Sequence, residues 1–498
     1  MDESGLNPAC TAIETCVSLG VKEYVICSGA RNSALIAAIS SLSGVEIYHH
    51  PEERSASYFA LGRAIKSEAP VAVLTTSGTA AAELLPAVIE AHYQAIPLVL
   101  LTADRPVRFR GKGAPQAIVQ HEIFGVYAES VANWKGSGPL HINVPLEEPT
   151  PDQVASVPQI SSVQLPETAL NCASDEDTKV LQDFLNKGDD FTVMVGCLPL
   201  SWRDDVKDFL LRLNLPVLAE ATSGLREDFP FPSIDDGSER VLRIGGVPAV
   251  RAWRDIEERE RVEVLSVAPN GLPGLARDSS VIKAPHWDSL IISGSLKGIS
   301  ANYSSLDALV GKYPLSEQSW VRRLSEFIPE GSLVFLGNSQ PIREWNIAAT
   351  RSKRGLRCFA NRGANGIDGS VSTFLGLAAQ EEQAWAIVGD LTAVYDLAAP
   401  WIVGQLPATN RRIVVINNGG GRIFRRLSAL KGFSVAQMKL VENSHELCFK
   451  GWAEMWGMAY RRVTEVRDLE DLPDGFLLME LIPDITQSDD FWAALDSL

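Results

Sequence analysis

An α/β fold of three doubly wound parallel-sheet domains is what the sequence predicts. Short apolar runs rich in β-branched residues alternate with stretches of helical spacing, and that βαβα rhythm builds parallel sheets. The runs stop at clusters of Gly, Ser, Thr, Asn and Asp, the residues of turns and helix N-termini. A length of 498 residues exceeds one ordinary core and calls for about two to four domains.

The first domain is expected over 1–150. Asn7-Pro8 reads as an N-cap with proline at the first helical position; Ile13, Cys16 and Val17 follow at helical spacing, and Gly20 ends the helix. Tyr24-Val25-Ile26-Cys27 is the first predicted strand and stops at Ser28-Gly29-Ala30-Arg31-Asn32-Ser33. A helix from Leu35 to Leu42 and a strand at Val45-Glu46-Ile47-Tyr48 are expected next. His49-His50-Pro51-Glu52-Glu53-Arg54 then leads into a helix from Ser55 to Lys66. A strand is expected from Val71 to Thr75, then an apolar helix from Ala80 to His92. Another strand, from Pro97 to Leu101, ends at Thr102-Ala103-Asp104-Arg105-Pro106. The run Leu140-His141-Ile142-Asn143-Val144-Pro145 closes the domain.

From Glu148 to Asp175 the chain is rich in Pro, Ser and Gln and reads as a linker, assigned to 151–175. A middle domain over 176–312 has expected strands at Thr192 to Val195, Val217-Leu218, Val241 to Ile244 and Val264 to Val267. It carries few residues with chemistry to offer. The third domain, 313–498, opens with a helix marked by Trp320, Leu324 and Phe327. A strand at Val334-Phe335-Leu336 ends at Gly337-Asn338-Ser339-Gln340, and Phe359-Ala360-Asn361-Arg362-Gly363 follows. Two further strands, Ala386-Ile387-Val388 and Ile413-Val414-Val415-Ile416, are expected to lie parallel, with Tyr395 to Gln405 as the helical crossover. Leu477-Leu478-Met479-Glu480 is the last.

Composition excludes several functions. The chain is 46% apolar and 21% charged, as a soluble globular protein is. No apolar run approaches a membrane span, and the acidic opening Met1-Asp2-Glu3 has the wrong sign for an export signal. A net charge of -17 argues against a general binder of nucleic acid or anionic membrane. The seven cysteines are scattered without a Cys-x-x-Cys, so reduced thiols in a cytoplasm are the reading. The seven histidines show no metal-ligand spacing.

Chemistry concentrates where the two parallel strands stop, at Gly389-Asp390-Leu391-Thr392 and at Asn417-Asn418-Gly419-Gly420-Gly421. Adjacent parallel strands put their C-terminal ends on one edge, the ligand-binding edge of open α/β sheets. Asp390 and Asn418 then converge, with Gly420 placed to offer a free backbone carbonyl. A carboxylate, an amide oxygen and a carbonyl are hard oxygen ligands suited to Mg²⁺. Each turn alone is ordinary; the pair at this spacing, a strand before each, resembles the diphosphate-and-metal motif of thiamine-diphosphate enzymes. Such an enzyme also needs a buried carboxyl group with a tuned pKa. Glu53, just after a strand and at the start of a helix, is so mounted. The alternative for Glu52 and Glu53 is that both are first-turn acids favoured by the helix dipole.

Further motifs narrow the family. They are Cys27 to Ser33, His49-His50 through Glu53-Arg54, Leu101 to Pro106 and Gln116-Ala117-Ile118 in the first domain. In the third they are Asn361-Arg362-Gly363-Ala364-Asn365-Gly366-Ile367-Asp368-Gly369 and Gly419-Gly420-Gly421-Arg422-Ile423-Phe424. Together they resemble the 2-succinyl-5-enolpyruvyl-6-hydroxy-3-cyclohexene-1-carboxylate synthases of menaquinone biosynthesis. The likeness covers both terminal domains in order; the middle domain is shorter than the family's. It implies decarboxylation of 2-oxoglutarate and 1,4-addition of the resulting carbanion to isochorismate, in a cytoplasmic homodimer or dimer of dimers. By position it implies that Glu53 activates the cofactor, that Gly389, Asp390, Leu391 and Thr392 meet its diphosphate, and that Asp390, Asn418 and the Gly420 carbonyl hold Mg²⁺ or Mn²⁺. Ile367 would be the apolar wedge that bends the cofactor, with Ile423 and Phe424 lining the thiazolium.

Both substrates are dicarboxylates, so a cleft with several guanidinium forks is expected. Arg31, Arg105, Arg343 and Arg362 lie just after predicted strands, and Gln116, Asn338 and Ser339 offer neutral hydrogen bonds. A surface ion pair is the alternative for any one arginine. Two positions depart from pattern: Leu391 stands where the general thiamine motif has Gly, as this family tolerates, and Ala30 stands where the family often has Ser. Rival readings are another thiamine-dependent 2-oxoacid decarboxylase or carboligase and a non-catalytic cofactor-binding relative. A dinucleotide oxidoreductase ranks lower, because no strand ends in a Gly-x-Gly-x-x-Gly that opens a helix.

Overall fold

The computed structural model describes residues 8–147, 173–229, 238–292 and 304–497, which contain three parallel sheets in two compact units. The first unit takes the described residues up to 147 together with 363–380 and 396–407. Its sheet has β1 (Glu23–Ile26), β2 (Glu46–His49), β3 (Val71–Thr75), β4 (Leu98–Asp104) and β5 (Leu140–Pro145) in the order β2-β1-β3-β4-β5. β3 and β4 are buried at every position, as strands covered on both faces must be. The strand order reverses between β1 and β3, and that switch opens a crevice at the C-terminal edge.

The helix Glu53–Ser67 leaves β2 under a local cap. The Glu52 side chain accepts the N–H groups of Arg54 and Ser55, so Glu53 is the first helical residue. Every residue from Ser55 to Ala64 is buried, because the helix also packs on Ser370–Leu377. The two backbones touch. A Cβ on Gly62 would lie 2.2 Å from the Thr373 carbonyl oxygen, and one on Gly376 would lie 2.2 Å from that of Phe59. The Tyr58 hydroxyl donates to Asp368 (2.8 Å), and buried Asp396 accepts N–H groups of Gly369 and Val371, satisfying the start of the second helix.

The second unit holds two sheets. One has β6 (Thr192–Val195), β7 (Val217–Ala219), β8 (Arg240–Ile244), β9 (Glu263–Val267) and β10 (Ser280–Ile282), ordered β10-β9-β8-β6-β7. The other has β11 (Leu333–Leu336), β12 (Arg357–Phe359), β13 (Gln383–Gly389), β14 (Asn410–Ile416), β15 (Ala459–Val463) and β16 (Phe476–Leu481), ordered β12-β11-β13-β14-β16-β15. All of its neighbours are parallel, and Gly389 stands opposite Ile416. Trp320, Leu324, Trp345, Trp385 and Ile387 are among the side chains that fill the core on one face of this sheet.

Most predicted strands sit within a residue or two of their place, and three expectations fail for identifiable reasons. The helix expected over 80–92 is two, Thr79–Ala82 and Leu85–Gln94, because Pro86 is tolerated only in a first turn. The crossover expected over 395–405 is a helix Asp390–Tyr395 followed by a 3₁₀ segment Ala399–Gln405, with Asp396 turned inward and Pro400 at the second start. The edge strands β10 and β15 were not expected, since β15 carries Arg461 and Arg462 and shows no apolar run. Asn7 and most of the expected linker, 148–172, lie outside the described residues. Among the described residues no helix is long and apolar enough to cross a membrane.

Gly62→Ala tests the helix contact. Alanine suits a helix better than glycine, but here the added methyl meets backbone, so stability should fall by about 1–3 kcal/mol. A thermal midpoint equal to or above that of the parent would contradict the packing.

Candidate cofactor and substrate site

Because β13 and β14 are in parallel register, Asp390 and the turn 417–421 leave the sheet side by side. The buried Asp390 carboxylate organises that turn. Its Oδ2 accepts the N–H groups of Asn418 (3.1 Å), Gly419 (2.9 Å) and Gly420 (3.0 Å), and its Oδ1 accepts the Leu391 N–H (2.6 Å). Gly420 has φ +132°, and a Cβ there would lie 2.6 Å from the Glu442 carbonyl oxygen, so only glycine fits. Gly421 N–H donates to Glu442, and His445 N–H to Gly419, fixing the turn to 442–445. The His445 Nε2 stands 3.3 Å from Asp390 Oδ2.

This donor set fits a divalent cation. Asn418 Oδ1 is buried without a hydrogen-bond partner, while its Nδ2 donates to Glu317 Oε1 (2.9 Å) and reaches Gln340 Oε1 (3.4 Å). A buried orphan acceptor beside a buried carboxylate suits a hard divalent cation. Burial pushes the Asp390 carboxyl up, and the Gly420 N–H and the His445 charge only partly pull it back. One expectation needs correcting: the Gly420 carbonyl is not free, since it accepts the Arg422 N–H at 2.9 Å. A carbonyl has two lone pairs, so one is left. Thr392 is buried, Gly389 and Leu391 are half-buried, and Ile423 and Phe424 sit half-buried in the 3₁₀ turn Arg422–Arg426.

The same sheet edge gathers the second unit's arginines. Asn338, after β11, donates to the Asn361 carbonyl (2.7 Å) and accepts Arg362 Nη1 (2.9 Å). Ser339 follows with φ +73°, and its carbonyl accepts Arg343 Nη1 from one turn along the helix Gln340–Ala348. Burial, then the neighbouring charge of Arg362, holds the Arg343 guanidinium below its usual value. The Arg362 Nε is buried and unpartnered, an open donor for an anion. In the first unit, Arg31 follows β1 and donates to the Leu146 carbonyl (3.1 Å). Arg105 follows β4 with a buried, unpartnered Nε and lies over Phe109. Gln116 has φ +53° and is exposed, its backbone packed on Gly78 after β3. All three thus mark the C-terminal edge of that sheet. Glu53 is half-buried, and loss of solvent pushes its carboxyl up. Ile367 is half-buried in the first unit.

Sequence reasoning missed the supporting residues. Glu90 accepts the N–H groups of Gly363 (2.6 Å) and Ala364 (2.7 Å), fixing the turn that follows Arg362. Glu220, after β7, accepts Ala249 N–H (2.7 Å) and Asn346 Nδ2 (3.3 Å), and its Oε2 is buried without a partner. Burial pushes this carboxyl up; Arg362 and Arg343 pull it down. Arg226 donates to the carbonyls of Asn346, Ala349 and Thr350, capping the end of the helix that carries Arg343. In sequence Glu90 reads as a surface helix acid and Glu220 as a strand-end acid; no spacing singles them out.

Comparison with known proteins agrees with this geometry. Residues 9–123 match the family described as "Thiamine pyrophosphate enzyme, N-terminal TPP binding domain". The chain is therefore a thiamine-diphosphate enzyme, and its cofactor is thiamine diphosphate with a divalent metal ion. Over 95% of its length, and 95% of the relative's, it is 40% identical to a 2-succinyl-5-enolpyruvyl-6-hydroxy-3-cyclohexene-1-carboxylate synthase of Akkermansia muciniphila. Synthases of the same name from Bdellovibrio bacteriovorus (38% identity, 99% of each chain) and Geobacillus thermodenitrificans (30%, 90% of this chain and 87% of the relative) are also similar. The chain belongs to the 2-succinyl-5-enolpyruvyl-6-hydroxy-3-cyclohexene-1-carboxylate synthase family.

Glu90→Ala removes both anchors of the 363–364 turn, and hydrogen bonds to a charged group are worth about 1.5–3 kcal/mol each. Amide exchange at Gly363 and Ala364 should accelerate at least about tenfold, the rate equivalent of roughly 1.4 kcal/mol; unchanged protection would contradict the role given to Glu90.

Proposed function

We propose that the chain decarboxylates 2-oxoglutarate and adds the resulting carbanion 1,4 to isochorismate, giving 2-succinyl-5-enolpyruvyl-6-hydroxy-3-cyclohexene-1-carboxylate in menaquinone biosynthesis. The observation that carries this reading is the pair of half-buried Arg343 and buried Arg362 on the same sheet edge as Asp390 and Asn418, in a chain of this family. A thiamine enzyme acting on monocarboxylates has less use for two desolvated guanidinium groups on one sheet edge.

Asp390, Asn418 and the remaining lone pair of the Gly420 carbonyl hold Mg²⁺ or Mn²⁺, and Gly389, Leu391 and Thr392 meet the diphosphate. When bound, thiamine diphosphate supplies the nucleophilic carbon and the electron sink that decarboxylation requires. Glu53 keeps a proton at its carboxyl against the pyrimidine N1′ nitrogen. Partial burial suits it to this, because desolvation favours the neutral acid. Ile367 would be the apolar wedge against the cofactor, and Ile423 and Phe424 would exclude water from its thiazolium. Arg31, Arg105, Arg343 and Arg362 clamp the substrate carboxylates, with Gln116, Asn338 and Ser339 adding neutral hydrogen bonds. Ala30 contributes no hydroxyl.

Glu53 and the metal ligands come from separate sheets, and a homodimer or dimer of dimers in the cytoplasm is the proposed assembly. Domain limits of 1–150, 176–312 and 313–498 go with it. The substrates are small molecules, and neither nucleic acid nor membrane is a partner.

The test is to incubate the protein with thiamine diphosphate, Mg²⁺, 2-oxoglutarate and isochorismate, following CO₂ release and loss of isochorismate absorbance. Both should occur together, and consumption of 2-oxoglutarate without isochorismate loss would contradict the assignment. Glu53→Gln should lower kcat by about 10²-fold or more, the usual scale of a lost acid–base group, while cofactor still binds. Near-normal turnover would remove Glu53 from the role.

A further inference from the structure

One group of buried carboxyls is not used by the chemistry above. Glu317, Gln318 and Glu344 are all buried, in a part of the second unit where the sequence offers no motif. Gln318 Nε2 donates to Glu344 Oε1 (2.8 Å), while Glu344 Oε2 is buried without a partner. Glu317 Oε1 accepts a hydrogen bond from Asn418 Nδ2 at 2.9 Å.

We propose that Glu317 is a positioning residue for the divalent metal: by accepting the Asn418 amide N–H, it decides which end of that amide faces the cation.

An asparagine amide is nearly symmetric in shape, so packing alone does not choose between its oxygen and its nitrogen. Here both neighbours of the nitrogen are acceptors, Glu317 Oε1 and, at 3.4 Å, Gln340 Oε1. Turning the amide over would bring Asn418 Oδ1 against two oxygens and lose both contacts. In the observed orientation Oδ1 is buried and unpartnered, free for a cation. Donation to a carboxyl also enriches the amide oxygen, as a carboxylate behind a metal-bound histidine raises that ligand's basicity.

Glu317 is itself held rigidly. Ser316 caps its helix, Glu317–Phe327, by accepting Ser319 N–H. The Glu317 N–H donates to Ser488 Oγ at 3.0 Å, and Trp320, Val321 and Leu324 bury the helix below. The bland reading makes Glu317 a first-turn acid complementing the helix dipole. That role needs no burial and no amide partner, whereas Glu317 is only 2% exposed and has one. The inference rests on the metal site proposed above and adds a residue outside it.

The experiment titrates Mg²⁺ into each protein with thiamine diphosphate in excess, following tryptophan fluorescence, and repeats it with Mn²⁺ by electron paramagnetic resonance. Asn418→Ala is the reference for a lost ligand. Glu317→Met removes the acceptor and should weaken metal binding by about 10–100-fold, the usual effect of losing a residue that orients a ligand. At saturating Mg²⁺ the KM for 2-oxoglutarate should be unchanged. Glu317→Gln keeps shape and one acceptor oxygen, and should weaken the metal by about tenfold, the lower end of the same range. Parental metal affinity in folded Glu317→Met overturns the proposal; if that variant does not fold, parental affinity in Glu317→Gln overturns it. Should Asn418→Ala itself bind metal normally, the metal site is misassigned and the proposal falls with it. Weakening in Asn418→Ala alone leaves the metal site standing and removes Glu317.

Discussion

A buried carboxylate at the head of a helix governs the geometry of the second unit's active edge. Withdrawing Asp390 from water costs several kcal/mol. Three N–H groups of the 418–420 turn on one oxygen, at about 1.5–3 kcal/mol each, offset much of that and in return fix the turn. They do not offset all of it, because burial still pushes the carboxyl above its ordinary range. The cation proposed above would supply the balance. The unpartnered Asn418 Oδ1 then follows as a second expression of the same deficit.

The arginines pose the opposite problem. Burial and the neighbouring Arg362 charge hold the Arg343 guanidinium below its usual value, and Glu220 supplies a compensating charge from the neighbouring sheet of the same unit. The middle sheet thereby gains a function that its lack of motifs conceals. It carries Glu220, and with it Arg226, whose three carbonyl contacts hold the end of the helix bearing Arg343. Excess positive charge, desolvated and held in place, is what a dianionic substrate requires.

How far all this could be read from sequence depended on the range of the interaction. Strands such as Val71–Thr75 and Thr192–Val195 were legible to the residue, since burial on both faces imposes an apolar run between turn formers. Asp390 and Asn418 were legible because two strand ends announce them. The break at Pro86 needed only closer attention to a local rule. The inward turn of Asp396 did not follow from local rules, because its partners, Gly369 and Val371, are long-range. Glu90, Glu220 and Glu317 belong to that class: each satisfies groups distant in the chain, and in sequence each is one acid among sixty-two. Edge strand β15, with one neighbour and two arginines, offers no pattern.

We propose that one cation joins Asp390, Asn418 and the Gly420 carbonyl. Crystals grown with thiamine diphosphate and Mn²⁺, measured for anomalous scattering at the manganese edge, address it directly. The account predicts a single strong peak within about 2.2 Å of the Asp390 carboxylate, Asn418 Oδ1 and the Gly420 carbonyl oxygen, the span expected for a small hard cation. A peak on other ligands, or cofactor bound with Asn418 Oδ1 turned away from the metal, would contradict it.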